Sequence, residues 1–120
     1  MISQEVVFER IRQSGIVPVI ALESADLALN LADSLWKGGL PIVEITFRTE
    51  AAADAIRQIA QHRPDMVVGA GTLLHPDQVE SARASGAQFG VAPGLNPLVV
   101  QRAWELQMPF LPGVATASEI

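Results

Sequence analysis

Leu40-Pro41-Ile42-Val43-Glu44-Ile45-Thr46-Phe47-Arg48-Thr49 is apolar enough to be a buried strand, yet it holds an acid mid-run and a base near its C-terminal end. Buried Glu and Arg are rare unless they are paired or functional. Side chains alternate across a strand, so Ile42, Glu44, Thr46 and Arg48 share one face and Val43, Ile45 and Phe47 the other. One face is hydrocarbon. The other carries a carboxylate, a hydroxyl and a guanidinium. In an open parallel sheet both faces pack against helices, and a mid-strand carboxylate fits that badly. In a barrel one face points inward, and polar groups near its C-terminal rim build the active site.

Outward from this stretch, apolar runs alternate with helical ones. Strands are expected at Ile16 to Leu22, Leu40 to Phe47, Met66 to Ala70, Gln88 to Ala92 and Met108 to Leu111. A short helix is expected around Glu5 to Gln13. Ala25 to Lys37 has Leu27, Leu31 and Leu35 four apart with Ala28 and Ala32 beside them, the spacing of an amphipathic helix. Ser24 is its expected N-cap and Gly38 its stop. Further helices follow at Glu50 to Gln61, with Ala53, Ile56, Ile59 and Ala60 facing inward, at Pro76 to Ser85 closed by Gly86, and from Pro97 to about Leu106 behind the cap Asn96. Strands alternating with helices imply an α/β fold with a parallel sheet. No linker interrupts residues 1–120, so one domain is expected. A flavodoxin-type open sheet and the first five βα units of a (β/α)8 TIM barrel both fit, although a whole barrel needs about 250 residues. Thr116-Ala117-Ser118-Glu119 has a capping-box pattern that announces a further helix at the chain's end. A helix announced one residue before Ile120 makes the chain read as truncated, beside the blander reading of frayed terminal residues.

Composition narrows the function classes. Hydrophobic residues are 49% of the 120 and charged residues 18%, ample core material without the signature of disorder. The net charge of −5 argues against nucleic acid as a partner, which calls for a basic patch. No apolar run reaches the roughly 18 residues of a membrane span. The absence of cysteine removes disulfide and thiolate chemistry, and a cytoplasmic location is the default. His62 and His75 fall in polar stretches whose spacing does not suggest a metal site. Lys37 is the single lysine.

The expected strand ends converge on one edge. They offer Glu44 to Arg48, then Gly69-Ala70-Gly71-Thr72, then Ala92-Pro93-Gly94, then Pro112-Gly113-Val114-Ala115-Thr116. In parallel α/β proteins ligands bind at that edge. Glycines admit a close backbone approach. Arg48 presents a planar fork matched to a carboxylate. Glu44 in apolar surroundings suits proton transfer, with Arg48 pulling its pKa the other way. Blander readings stand beside these. Glu44 and Arg48 fit a structural ion pair equally well, Thr72 a turn, and Pro93-Gly94 a common turn pair. The glycines lack dinucleotide-loop spacing. Trp36 and Trp104 read as helix packing residues. The case rests on convergence.

Together, Ile16-Val17-Pro18-Val19-Ile20, Glu44-Ile45-Thr46-Phe47-Arg48-Thr49-Glu50, Val68-Gly69-Ala70-Gly71-Thr72, Pro93-Gly94-Leu95 and Pro112-Gly113-Val114-Ala115-Thr116 resemble the 2-keto-3-deoxy-6-phosphogluconate aldolases, in order and over nearly all of the chain from Gly15. The resemblance implies a (β/α)8 barrel, usually a homotrimer, that cleaves a phosphorylated keto-sugar acid to pyruvate and glyceraldehyde 3-phosphate. Some members also act on 4-hydroxy-2-oxoglutarate. It implies a lysine Schiff base as electron sink, proton shuttling at Glu44, and a pyruvate carboxylate held by Arg48 and Thr72 with Pro93 lining the pocket. No metal or organic cofactor is implied. The family's Schiff-base lysine and phosphate site lie on later strands, and Lys37, at a helix end, does not match the former. These 120 residues are thus expected to be inactive alone. A different class of function stays open: a non-enzymatic half-barrel or flavodoxin-like fragment that self-associates or binds small carboxylates.

Overall fold

A computed structural model describes residues 3–120. Five parallel strands, β1 (Val19–Ile20), β2 (Ile42–Thr46), β3 (Val67–Gly71), β4 (Gly90–Val91) and β5 (Phe110–Leu111), pair in the order β1-β2-β3-β4-β5. Between them run α2 (Ala28–Lys37), α3 (Ala52–His62), α4 (Pro76–Ser85) and α5 (Pro97–Glu105), preceded by α1 (Gln4–Ser14). This order settles the architecture. A doubly wound sheet reverses its strand order at a switch point. Here each crossover steps in the same direction, and right-handed crossovers that never reverse put every crossover helix, α2 to α5, on one face. The flavodoxin-type alternative therefore falls, and the sheet is a partial barrel.

The two sheet faces are distinct. Val43, Ile45, Val68 and Ala70 pack with Ala28, Ala32, Ile56, Ile59, Val79, Val99 and other helix residues in the larger core cluster. Ile42, Val67 and Phe89 point the other way and pack with Val7 and Ile11 of α1, which closes the N-terminal end of the interior. Each of these two clusters buries apolar area worth about 25 cal/mol per Å2.

Several elements differ from the sequence expectations. β1 is shorter than Ile16 to Leu22 because Pro18 lacks an N–H, although its carbonyl still accepts from Glu44 N at 2.9 Å. Pro109 and Pro112 bracket β5 in the same way. Ser24 caps a 3-10 turn, Ala25–Leu27, that leads into α2. Gly39, not Gly38, takes the left-handed backbone after α2. α3 starts at Ala52, and its innermost residues are Ala52, Ala55, Ile56 and Ile59, so Ala53 is only half-buried. Trp36 and Trp104 are not packing residues: they are 49% and 79% exposed. Asn96 and Gly86 do cap α5 and α4 as expected. Thr116 to Glu119 closes a 3-10 turn in which the Glu119 carboxylate accepts from Thr116 N at 3.1 Å.

Candidate active site

β2 supplies the first group. Register pairs Glu44 with Val19 on one side and Gly69 on the other, so the carboxylate stands on the interior face between apolar neighbours. It is 6% exposed. Its carboxyl is held above the ordinary carboxylate range, chiefly by burial, with the Arg48 charge opposing. Among the described residues no ion pair joins Glu44 to Arg48. The structural-pair reading is thereby removed: Arg48 acts on Glu44 as a nearby charge, and its guanidinium stays exposed on the turn after β2. That turn is pinned where Thr49 Oγ1 donates to the Leu22 carbonyl at 2.5 Å, tying the ends of β1 and β2 together.

β3 supplies the second. The two glycines expected to admit a ligand serve another purpose. They lie within the strand, and protein side chains fill the space beside them. A Cβ on Gly71 would overlap the Glu44 carboxylate, and one on Gly69 would overlap the Phe89 ring. Small residues on β3 thus let an acid from β2 and an aromatic just before β4 reach across the interior.

Thr72, just beyond β3, adopts φ +58°. That is a genuine outlier for a β-branched residue and costs about 1–3 kcal/mol. It is held there because Leu73 is buried and its N–H bonds the Val91 carbonyl at 3.2 Å. Pro93 is exposed on the loop after β4. Arg48, Thr72 and Pro93 therefore follow the C-terminal ends of three consecutive strands, about 4.8 Å apart per strand, with Glu44 two residues inside the end of β2. An acid tuned toward neutrality and an exposed planar cation on one rim are suited to moving a proton on a bound carboxylic acid.

Thr46 was legible only as a face-mate of Glu44. It is 2% exposed, and among the described residues its hydroxyl has no hydrogen-bond partner. The alternation of β2 was the signal that placed it there.

Other features do not compete with this rim. Lys37 ends α2 on the outer ring, exposed. A concavity of about 300 Å3 opens near Asp33, Trp36, His62 and Arg63 at the opposite, N-terminal end of the strands. It is walled by the Arg63–Asp33 fork at 2.5 and 2.9 Å, which holds the Asp33 carboxyl below its usual range. That end of a barrel serves stability. Among the described residues no group of three His, Cys, Asp or Glu side chains is placed to hold a metal ion. No helix among them is long and apolar enough to cross a membrane.

Comparison with known proteins agrees with the fold. A model of the family "KDPG and KHG aldolase" matches residues 7–120. The 2-dehydro-3-deoxy-phosphogluconate aldolase of Haemophilus influenzae is 54% identical over 108 residues, which is 90% of this chain and 51% of that protein. The KHG/KDPG aldolase of Escherichia coli K12 is 43% identical over 105 residues, 88% of this chain and 49% of that protein. Among solved structures, the Zymomonas mobilis ZM4 aldolase with 3-phosphoglycerate superposes with a TM-score of 0.88 at 34% identity, over 98% of this chain and 56% of that one. The Legionella pneumophila KDPG aldolase, with pyruvate captured at low pH as a covalent carbinolamine, gives 0.82 at 36% identity, over 86% and 50%. The chain spans about half the length of the curated relatives it matches. With its parallel half-barrel and a family match over residues 7–120, the chain belongs to the KDPG and KHG aldolase family.

Proposed function

We propose that these residues form the proton-transfer and carboxylate-binding half of a Schiff-base aldolase, one that cleaves 2-keto-3-deoxy-6-phosphogluconate to pyruvate and glyceraldehyde 3-phosphate and also accepts 4-hydroxy-2-oxoglutarate. The observation that carries this is Glu44: an interior carboxylate, buried and raised toward neutrality, beside an exposed Arg48 on the same rim. Glu44 moves protons to and from the keto acid. Arg48 and Thr72 hold its carboxylate, with Pro93 lining the site. A lysine amine forms the Schiff base that draws electrons from the breaking C–C bond. Lys37 does not serve as that amine, because it sits on the outer ring away from the rim. The nucleophile is supplied by residues outside these 120, and the 120-residue polypeptide alone is inactive. A cytoplasmic trimer belongs to the same proposal.

The test joins residues 1–120 to the C-terminal half of the H. influenzae relative. The chimera is expected to release pyruvate from 2-keto-3-deoxy-6-phosphogluconate, and Glu44→Gln to lower that rate about 100-fold or more. An active Glu44→Gln chimera removes Glu44 from the mechanism. Incubating the 120-residue polypeptide with pyruvate and borohydride is expected to leave its mass unchanged, and a pyruvyl adduct on Lys37 overturns the assignment of the nucleophile. Sedimentation of the chimera reads the trimer.

A further inference from the structure

Among the described residues, Glu44, Thr46 and Ser85 are the buried polar side chains. Ser85 resolves its burial by donating to the Ser81 carbonyl at 2.8 Å. Thr46 has no such outlet, and unpaired buried hydroxyls are rare enough to need a reason. Its setting supplies one. Thr46 is paired in register with Gly71, and the Glu44 carboxylate leans over Gly71. Strands are about 4.8 Å apart, so the carboxylate stands beside the Thr46 side chain with no Gly71 side chain between them. Glu44 and Thr46 are neighbours that are not bonded to each other. Val19 and Gly69, which flank Glu44 in register, are neither charged nor able to donate from a side chain. Arg48 acts on Glu44 as a charge, without a bond.

We propose that Thr46 is a positioning residue for Glu44: when the carboxylate ionises, the Thr46 hydroxyl donates to it and holds it over Gly71. Donation to the charged form favours that form. The hydroxyl therefore offsets part of the burial that works against ionisation, and it keeps the carboxylate aimed along the interior face. A site that must cycle its acid between neutral and charged forms has use for a donor engaged in only one of them. The functional meaning rests on the reading of Glu44 as the proton-transfer group, but the contact itself is tested on Glu44 without any activity.

The experiment follows the Glu44 side-chain carboxyl by carbon NMR through a pH titration of the chain, its Thr46→Val variant and its Thr46→Ser variant, with a urea unfolding curve for each. Valine keeps the branched shape and removes only the donor. Thr46→Val is expected to raise the Glu44 midpoint by about one pH unit, the tenfold change that a hydrogen bond to a charged group carries. Thr46→Ser, which keeps the hydroxyl, is expected to titrate close to the parent. An unchanged midpoint in Thr46→Val, together with greater resistance to urea, overturns the proposal, because that is the behaviour of an orphaned hydroxyl replaced by a methyl. Failure of the proton-transfer reading shows separately, as retained activity in the Glu44→Gln chimera.

Discussion

Replacing Gly69 with alanine tests the interior packing that makes room for the site. The Phe89 ring lies over Gly69, and three of its atoms stand where the new Cβ would go. Gly69 does not use a left-handed backbone, so alanine is conformationally acceptable there and gains about 0.4–1 kcal/mol through the unfolded chain. Against this stands overpacking, at about 1–3 kcal/mol. The ring cannot step aside cheaply: Phe89 is 1% exposed, and Val7, Ile42 and Val67 of the same cluster are equally buried. The cost therefore falls at the top of the range, and the net loss is about 2 kcal/mol, or roughly 8 °C in Tm for a chain of this length. Phe89→Leu alone costs about 1–2 kcal/mol, less than full truncation. The double variant should recover much of the Gly69→Ala loss, giving a coupling energy of about 1 kcal/mol or more. Urea unfolding followed by circular dichroism measures all four corners of the cycle. A neutral or stabilising Gly69→Ala, or strictly additive losses, refutes the argument that Phe89 occupies the missing side chain's place.

Two further outcomes follow from the backbone and the charges. Gln107 has φ +55° after α5, where the Met108 N–H bonds the Ala103 carbonyl at 2.9 Å, a helix stop that favours glycine. Gln107→Gly is expected to stabilise the chain by about 0.5–1 kcal/mol in urea melts, and a loss of stability there contradicts the strain. Glu44 has a raised carboxyl pKa, so its neutral form contributes stability that is fully present below the reference value of 4.5 and lost as pH rises through the folded-state pKa. Glu44→Gln should therefore unfold at higher urea than the parent near about pH 7, with the advantage vanishing below about pH 4. An advantage that grows on acidification reverses the sign and refutes burial as the dominant influence.

The β2 run was readable because alternation and chemistry disagreed: a carboxylate at Glu44 on a strand otherwise made of hydrocarbon. That one conflict pointed to a barrel interior, and the unreversed strand order bears it out. The strands flanked by prolines were overlong in the sequence reading because Val17 and Pro18, or Met108 and Pro109, continue the apolar pattern without continuing the ladder. The role of Gly69 and Gly71 was hidden for a different reason. A glycine on a strand gives no sign of whether a ligand or a side chain from a neighbouring strand will fill its space, and only the register of β2, β3 and β4 decides. The left-handed Thr72 and Gln107 carried no signal at all, since neither residue type asks for positive φ. Trp104 misled because helical spacing is a weak guide to which side of a helix meets the sheet.

The interior face of β2 runs from dry to wet in four alternate residues. Ile42 is sealed by α1, Glu44 and Thr46 are buried but polar, and Arg48 is exposed on the turn. This gradient is what sets the acid. One step toward α1 the carboxylate would lie among Ile42, Val67 and Phe89 with no charge near it. One step outward it would be solvated and ordinary. The same gradient fixes the strand register. A slip of one residue turns every side chain of β2 to the other face. Glu44 would then enter the helix-packed layer against Ile56 and Ile59, where an unpaired carboxylate costs several kcal/mol. Val43 and Ile45 would meanwhile turn to the interior face, where Val67 and Phe89 offer them apolar neighbours. Glu44 thus excludes the alternative pairing that its hydrocarbon neighbours, nearly interchangeable between the two faces, leave open, and the residue assigned the chemistry is also the one that specifies the strand on which that chemistry stands.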